Sequence, residues 1–139
     1  MSSSKVDSAI PTRLSSIRKE LIGKKLRVVG KILSHDVKSS TILLWNDSHI
    51  VHVDISLCLP TKGSIPWLRE TRSTVTLFGF LERSQAEMRL PDLLARLPHE
   101  DMVLIPHVSL QAILAIDSPD VDLRRWNDTV AEMEASGLF

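Results

Sequence analysis

Five stretches of this chain alternate apolar and polar residues with a period of two, and this alternation limits the possible folds more than any other feature. Successive side chains of a β-strand point to opposite faces, so the pattern predicts strands with one buried face. The predicted strands span residues 25–33, 41–45, 49–57, 73–82 and 108–116. A length of 139 residues is typical of one domain. The sequence therefore predicts a single, small, mainly β domain.

Each predicted strand has one row of apolar residues that suits a core. In the last strand the row expected to point inward is Val108, Leu110, Ala112, Leu114 and Ile116. In the third strand, the row runs from Val51 to Leu57. Single glycines, Gly30 and Gly79, stand inside the first and fourth strands, where glycine is typical of a bend or a β-bulge. Strongly coiled strands of this kind suit a small barrel.

Helical patterns flank the strands. Residues 12–23 place Leu14, Ile17, Leu21 and Ile22 on one face and predict a short helix that ends at Gly23. Residues 1–11 are serine-rich and are predicted to be a disordered lead. The Leu-rich insertion 84–102 is expected to contain a short helix.

Five strands with these flanks predict an OB-fold, a five-stranded Greek-key barrel with a short N-terminal helix and a C-terminal amphipathic helix. A β-sandwich and an SH3-like barrel are the alternatives. The segment between the third and fourth strands and the helix after the fifth favour the OB-fold. The barrel is expected to occupy residues 12–117 and the C-terminal helix residues 118–139.

The C-terminal helix carries a narrow apolar stripe. Leu123, Trp126, Val130 and Met133 are spaced i, i+3, i+7 and i+10, so they share one helical face. Ser118 is the expected N-cap, with Pro119 at the first helical position. The stripe is predicted to bind a partner protein, with the buried ring of Trp126 as its main anchor. The alternative is that the stripe covers the chain's own barrel.

Composition narrows the functional classes. Lys plus Arg equals Asp plus Glu at 17 each, which argues against nucleic-acid binding by overall charge alone. No pairing of a base with a nucleophile and no metal-ligand spacing is evident among the five histidines, so we expect no enzyme activity, cofactor or metal. No stretch approaches the length of a membrane span.

A weak nucleic-acid site is predicted on the barrel. Arg27 and Lys31 lie on one face of the first strand, Lys38 lies in the following loop, and Trp45 ends the second strand. OB-fold grooves combine such cations with stacking aromatic rings. The alternative for Trp45 is that it caps one end of the barrel.

Several segments resemble the smallest OB subunits of replication-protein-A-like complexes. They are residues 23–32, 41–44, 51–55 and 75–81 in the barrel and residues 122–130 in the last helix. Two families share this layout: the Ten subunit of the telomeric CST complex (Ctc or Cdc-thirteen, Stn and Ten) and the small subunit of replication protein A. The opening strand and the direct turn between strands two and three look closer to fungal Ten proteins.

The resemblance implies a non-enzymatic telomere-capping subunit in the nucleus, at chromosome ends. It would pair with a Stn-type OB subunit through barrel contacts and C-terminal helices, beside a larger Ctc/Cdc-thirteen-type subunit. The complex would bind single-stranded telomeric DNA and regulate fill-in synthesis. Leu123, Trp126, Val130 and Met133 match the helix positions. The alternatives are a replication protein A small subunit and a free-standing OB-fold adaptor or RNA-binding protein.

Overall fold

The computed structural model describes residues 8–60, 73–84 and 102–137. Short 3-10 turns lie at Leu14–Ser16, Lys19–Leu21 and Ser56–Cys58, and one α-helix, α1, spans Leu123–Ala135. The strands are β1 (Ile10–Pro11), β2 (Lys25–Asp36), β3 (Thr41–Asn46), β4 (His49–Asp54), β5 (Thr74–Arg83) and β6 (Val103–Asp117). In this numbering, the five predicted strands are β2 to β6.

Strands β2 to β6 form a closed barrel. The sheet order is β1-β2-β3-β4-β6-β5, and a further pairing of β2 with β5 closes it. Strand β4 pairs with β6 in parallel, while the other barrel pairs are antiparallel. A five-stranded barrel with this Greek-key order is the OB-fold, so the predicted fold class is confirmed.

The core fills the barrel with the apolar rows that the period of two predicts. The inward residues with no more than 2% of their surface exposed include Leu26, Val28, Ile42, Leu44, Val51, Val53, Ile55, Val75, Leu77, Leu81, Val108 and Leu110. Leu57 was expected in this row but is 66% exposed. Strand β4 ends at Asp54 and the chain turns at Ser56–Cys58, so the alternation no longer applies there.

A β-bulge reverses the faces of β6. Phe78 pairs with Leu114, but the next pair is Gly79 with Ala112, so Ile113 is the extra residue. One extra residue moves every later side chain to the opposite face. Leu114 and Ile116, which were expected to point inward, are therefore 49% and 45% exposed. The bend predicted at Gly79 is confirmed.

Gly79 is required by the closeness of β6. A Cβ atom at this position would collide with the carbonyl oxygen of Gln111 and lie 2.8 Å from the Cα of Ala112. At Gly30 a Cβ would lie 2.7 Å from the carbonyl oxygen of Trp45, although the register shift of β2 falls just after it, between Ile32 and Ser34. Both glycines thus allow neighbouring strands to approach.

The N-terminal segment differs from the prediction. The helix expected over residues 12–23 is two single 3-10 turns with extended backbone at Ile17 and Arg18 between them. Its apolar residues still pack inward, because Leu14 and Ile17 are buried in the core. The predicted disordered lead is wrong for Ile10–Pro11, which pairs in parallel with β2. Residues 1–7 and most of the insertion, 85–101, lie outside the described residues.

Helix α1 begins later than expected. Asp122, not Ser118, is the N-cap, and its carboxylate accepts hydrogen bonds from the backbone N–H groups of Arg124 and Arg125 at 3.0 and 3.2 Å. Ser118 instead extends the pairing of β5 and β6, donating its N–H to the Thr74 carbonyl at 2.9 Å. No helix in the described ranges has the length and apolar character needed to cross a membrane.

Candidate functional site

Helix α1 packs on its own barrel along one face. Val130 is 1% exposed. Three residues earlier, Asn127 forms a reciprocal amide pair with Asn46 at the end of β3, with N···O distances of 3.0 and 2.8 Å. The Asn46 amide also donates to the Val29 carbonyl at 2.9 Å. These contacts fix the middle of the helix against β2 and β3.

The end of α1 is held by the N-terminal segment. Arg13 Nη2 donates to Glu134 Oε2 at 2.7 Å, and the Ser16 hydroxyl donates to Glu134 Oε1 at 3.0 Å. The Arg13 hydrogen bond lowers the pKa of the Glu134 carboxyl below its ordinary value, and the Ser16 hydrogen bond lowers it further. The same contact raises the pKa of Arg13. We call Arg13, Ser16 and Glu134 the clamp.

Trp126 contacts the barrel through the side chain of Arg27, which stacks on its ring. The guanidinium of Arg27 is 5.1 Å from the Trp126 ring centroid and 5.7 Å from that of Phe78. Arg27 therefore lies between a helix ring and a strand ring, a cation–π arrangement. The Trp126 Nε1 atom is buried with no hydrogen-bond partner. A predicted DNA-binding residue and a predicted partner-binding residue thus belong to one contact.

The predicted stripe is not an open surface. Val130 is buried against its own barrel in this structure, which fits the alternative that the stripe covers the chain's own barrel at this residue. Leu123, Trp126 and Met133 are half-buried. On a helical projection Trp126 and Met133 flank the buried face, on the side of Arg27 and β5. The exposed side of α1 is polar, with Arg124, Arg125, Asp128, Thr129 and Glu132.

The predicted nucleic-acid residues do not form one cluster. Lys31 is opposite Trp45 on β3 and Thr74 on β5, and it is half-buried. Lys38 is exposed in the β2–β3 turn, while Arg27 lies near the start of β2. The Trp45 indole N–H donates to the Asp47 carbonyl within the β3–β4 turn. The length of β2 therefore separates Lys38 from Arg27.

An apolar surface that the sequence reasoning missed lies on the outer face of β5 and β6. It consists of Phe78, Phe80, Leu114 and Ile116, and we call it the outer patch. Phe80, Leu114 and Ile116 are 40%, 49% and 45% exposed. Phe78 pairs with Leu114 on one side and with Arg27 on the other, so the patch continues through Arg27 to Trp126. The sequence signal for this surface was Gly79 between two phenylalanines, because the extra residue of the bulge, Ile113 on β6, lies opposite this part of β5.

A histidine–serine pair crosses from β4 to β6. His52 Nδ1 and Ser109 Oγ are 2.7 Å apart, and both residues are half-buried. Burial lowers the pKa of His52, and the nearby charge of Asp54 opposes this. Asp54 Oδ1 accepts the Ser56 N–H at 2.9 Å. The pair is therefore a cross-strand hydrogen bond, and it is burial that favours the neutral imidazole. Within residues 8–60, 73–84 and 102–137, no three His, Cys, Asp or Glu are grouped to hold a metal ion.

Known structures share this architecture. The chain superposes on a structure of the S. pombe Stn1–Ten1 complex with a TM-score of 0.63, 18% identity and coverage of 94% of this chain and 95% of that one. The S. pombe telomere capping protein Ten1 gives a TM-score of 0.61, 18% identity and coverage of 92% and 99%.

A structure of U. maydis replication protein A bound to single-stranded DNA gives a TM-score of 0.55, 19% identity and coverage of 91% and 90%. No protein-family model and no curated protein sequence matches this chain. At these identities the similarity establishes the fold, and over nearly its whole length the chain is an OB-fold domain similar in structure to Ten1.

Proposed function

We propose that this chain is a non-enzymatic, Ten-type OB subunit that pairs with a Stn-type OB subunit in a telomere-capping complex. The observation that carries the proposal is the outer patch, an apolar sheet face beside α1, in a chain that superposes end to end on structures of Ten1. The proposed complex also contains a larger Ctc/Cdc-thirteen-type subunit and works in the nucleus, at telomeres.

The outer patch has the properties of a partner surface. Contiguous exposed apolar residues on a small domain mark protein-binding sites more often than isolated ones do. Aromatic residues and arginine are enriched in such interfaces. Phe78 of the patch, Arg27 and Trp126 of the helix form a stacked row. The patch and the helix can therefore contact one partner together. The proposed interface therefore comprises the outer patch with the helix residues Trp126, Met133 and Leu123.

A charge inserted into the patch tests this assignment. The chain and the Stn-type subunit of its own organism are purified separately, and the affinity is measured by titration calorimetry. Leu114→Glu should weaken binding by about ten-fold or more, because the carboxylate would be buried without a partner. The matched control is Val37→Glu, since Val37 is 76% exposed in the β2–β3 turn. Equal affinities of the two variants would remove the outer patch from the interface.

Trp126→Ala tests the helix. It should abolish partner binding while the barrel stays folded, which circular dichroism checks on the same sample. Retained binding would rule out α1 as part of the interface. Trp126 also stacks on Arg27, so the loss of stability must be measured beside the affinity.

Binding of single-stranded DNA is proposed mainly for the assembled complex. The candidate residues of this chain are Lys31, Lys38, Trp45 and Arg27, whose guanidinium is already stacked between two rings. Lys31→Glu or Lys38→Glu should weaken DNA binding by the complex at low salt, because phosphate contacts are salt-sensitive. If neither change alters DNA binding, the surface that carries Lys31 and Lys38 does not contact the DNA.

Two other functions remain candidates. The match to U. maydis replication protein A over 91% of this chain favours the small subunit of that complex. Mass spectrometry of native co-purifying subunits separates it from a Stn partner. The packing of Val130 on its own barrel favours a free-standing OB-fold adaptor or RNA-binding protein. A stable monomer in sedimentation, with no OB subunit co-purifying, would support that function.

A further inference from the structure

The clamp contains a serine whose hydroxyl joins two distant segments of the chain. Ser16 Oγ lies 3.0 and 3.3 Å from the two carboxylate oxygens of Glu134, 118 residues away in sequence. The Arg13 side chain donates to the same carboxylate. We propose that Ser16 is a phosphorylation site and that phosphate at this position releases the last turn of α1 from the N-terminal segment. The proposal does not depend on the proposed function.

The sequence around Ser16 suits a protein kinase with an acidic substrate groove. Arg13 precedes Ser16 by three residues, and Arg18 and Lys19 follow it by two and three. Charge patterns of this kind determine which serines a kinase selects. Ser16 is half-buried and ends a 3-10 turn of only three residues, and a kinase would need this turn to open locally.

There is room for a phosphate group beside the hydroxyl. A cleft of about 430 Å³ opens between the N-terminal segment and the end of α1. Its lining includes Ser15, Ser16, Arg18 and Glu134, with apolar residues such as Ile10 and Leu21 on the barrel side. The cleft can therefore hold the added group without displacing the core residues Leu14 and Ile17.

The reaction needs ATP and a kinase. Ser16 Oγ attacks the γ-phosphorus of ATP, the bond from that phosphorus to the bridging oxygen breaks, and ADP leaves. The hydroxyl proton passes to the catalytic base of the kinase. The product carries a charge of about −1.5 to −2 at neutral pH.

Phosphorylation would remove both hydrogen bonds that hold Glu134. Ser16 would lose its only O–H donor, so it could no longer donate to the carboxylate. The phosphate would compete for Arg13, because guanidinium binds phosphate through paired, charge-assisted hydrogen bonds. Glu134 would then face a like charge at close range. The last turn of α1 would detach, while Asn127 and Val130 still hold its middle.

The test installs phosphoserine directly in the full-length chain by genetic-code expansion, at position 16 in one sample and at position 15 in another. Ser15 is the matched control, because it is exposed in the same turn, while the side-chain hydrogen bonds to the Glu134 carboxylate come from Arg13 and Ser16. Hydrogen–deuterium exchange is read over residues 131–136. Phosphoserine at 16 should speed amide exchange there by about ten-fold, and phosphoserine at 15 should not. Equal rates of amide exchange in the two samples would refute the proposed release of the last turn of α1.

A second measurement tests the site itself. The unmodified chain is incubated with ATP and the catalytic subunit of cAMP-dependent protein kinase, and the phosphate is located by mass spectrometry. We expect phosphate on Ser16 and a strong loss of labelling in Arg13→Ala. Phosphate confined to Ser15, or none on the native chain, would overturn Ser16 as the modification site.

Discussion

The amide pair of Asn46 and Asn127 determines how firmly α1 is held, and its contribution can be worked out from the structure. Asn127→Ala removes two hydrogen bonds, and it leaves the Oδ1 atom of Asn46, a residue only 3% exposed, without that donor. A buried acceptor left unpaired costs about 1–3 kcal/mol, and each lost hydrogen bond about 1 kcal/mol. The lost bond from Asn46 Nδ2 contributes about 1 kcal/mol and the unpaired Oδ1 atom about 1–3 kcal/mol, so we expect a loss of about 2–4 kcal/mol in the free energy of unfolding.

A double-mutant cycle measured by urea unfolding isolates the pair. Asn46→Ala and Asn127→Ala should each be destabilising, and the double variant should be less destabilised than their sum by about 1–2 kcal/mol. Asp128→Ala is the control for helix propensity, since Asp128 is exposed on α1 and should change stability by less than about 0.5 kcal/mol. Additive effects of the two asparagine changes would refute the coupling and the idea that this pair fixes the helix.

Three further predictions address the bulge, the clamp and the stacked row. Gly79→Ala should destabilise the chain by about 2 kcal/mol or more in thermal unfolding, because its Cβ meets the Gln111 carbonyl; an unchanged Tm would mean that β6 can move away. The pKa of Glu134 is lowered on folding, so the clamp stabilises the native state at neutral pH and is lost as the pH falls through that lowered value. The stability difference between the native chain and Glu134→Gln should therefore shrink in acid, and a constant difference would contradict this. Trp126→Phe keeps a ring over Arg27 and removes a buried N–H without a partner, so its Tm should equal or exceed that of the native chain; a clear decrease would indicate a hydrogen bond to the indole.

The barrel could be predicted because the rows of residues that point into the core from β2 to β5 follow the period of two. Val75, Leu77 and Leu81 are inward for this reason alone. The exposure of Leu114 and Ile116 could not be predicted, because it depends on which residue of β6 lies opposite Gly79. A pairing register is a property of two strands, and the sequence of one strand does not contain it.

The start and the contacts of α1 could also not be predicted fully from the sequence. Ser118 and Pro119 are good helix-start residues, but the Ser118 hydroxyl lies 2.8 Å from the Thr76 hydroxyl on β5, and its N–H extends the strand pairing. Because of these tertiary contacts, the helix begins only at Leu123. The apolar spacing identified Val130 as a contact residue, but spacing alone does not say whether the contact lies within the chain. Glu134 and Asn127, which hold the helix, are polar residues that an apolar pattern cannot reveal.

The closing pair of β2 and β5 has a consequence for how this chain can associate. A barrel that closes on itself leaves few unpaired backbone N–H and C=O groups along its strands, whereas an open sheet exposes a whole edge. In the part of the chain that the structure describes, a second polypeptide has little opportunity to add a strand by backbone pairing. Association must then rely on side chains, and single substitutions on the barrel surface can change partner choice without altering the fold.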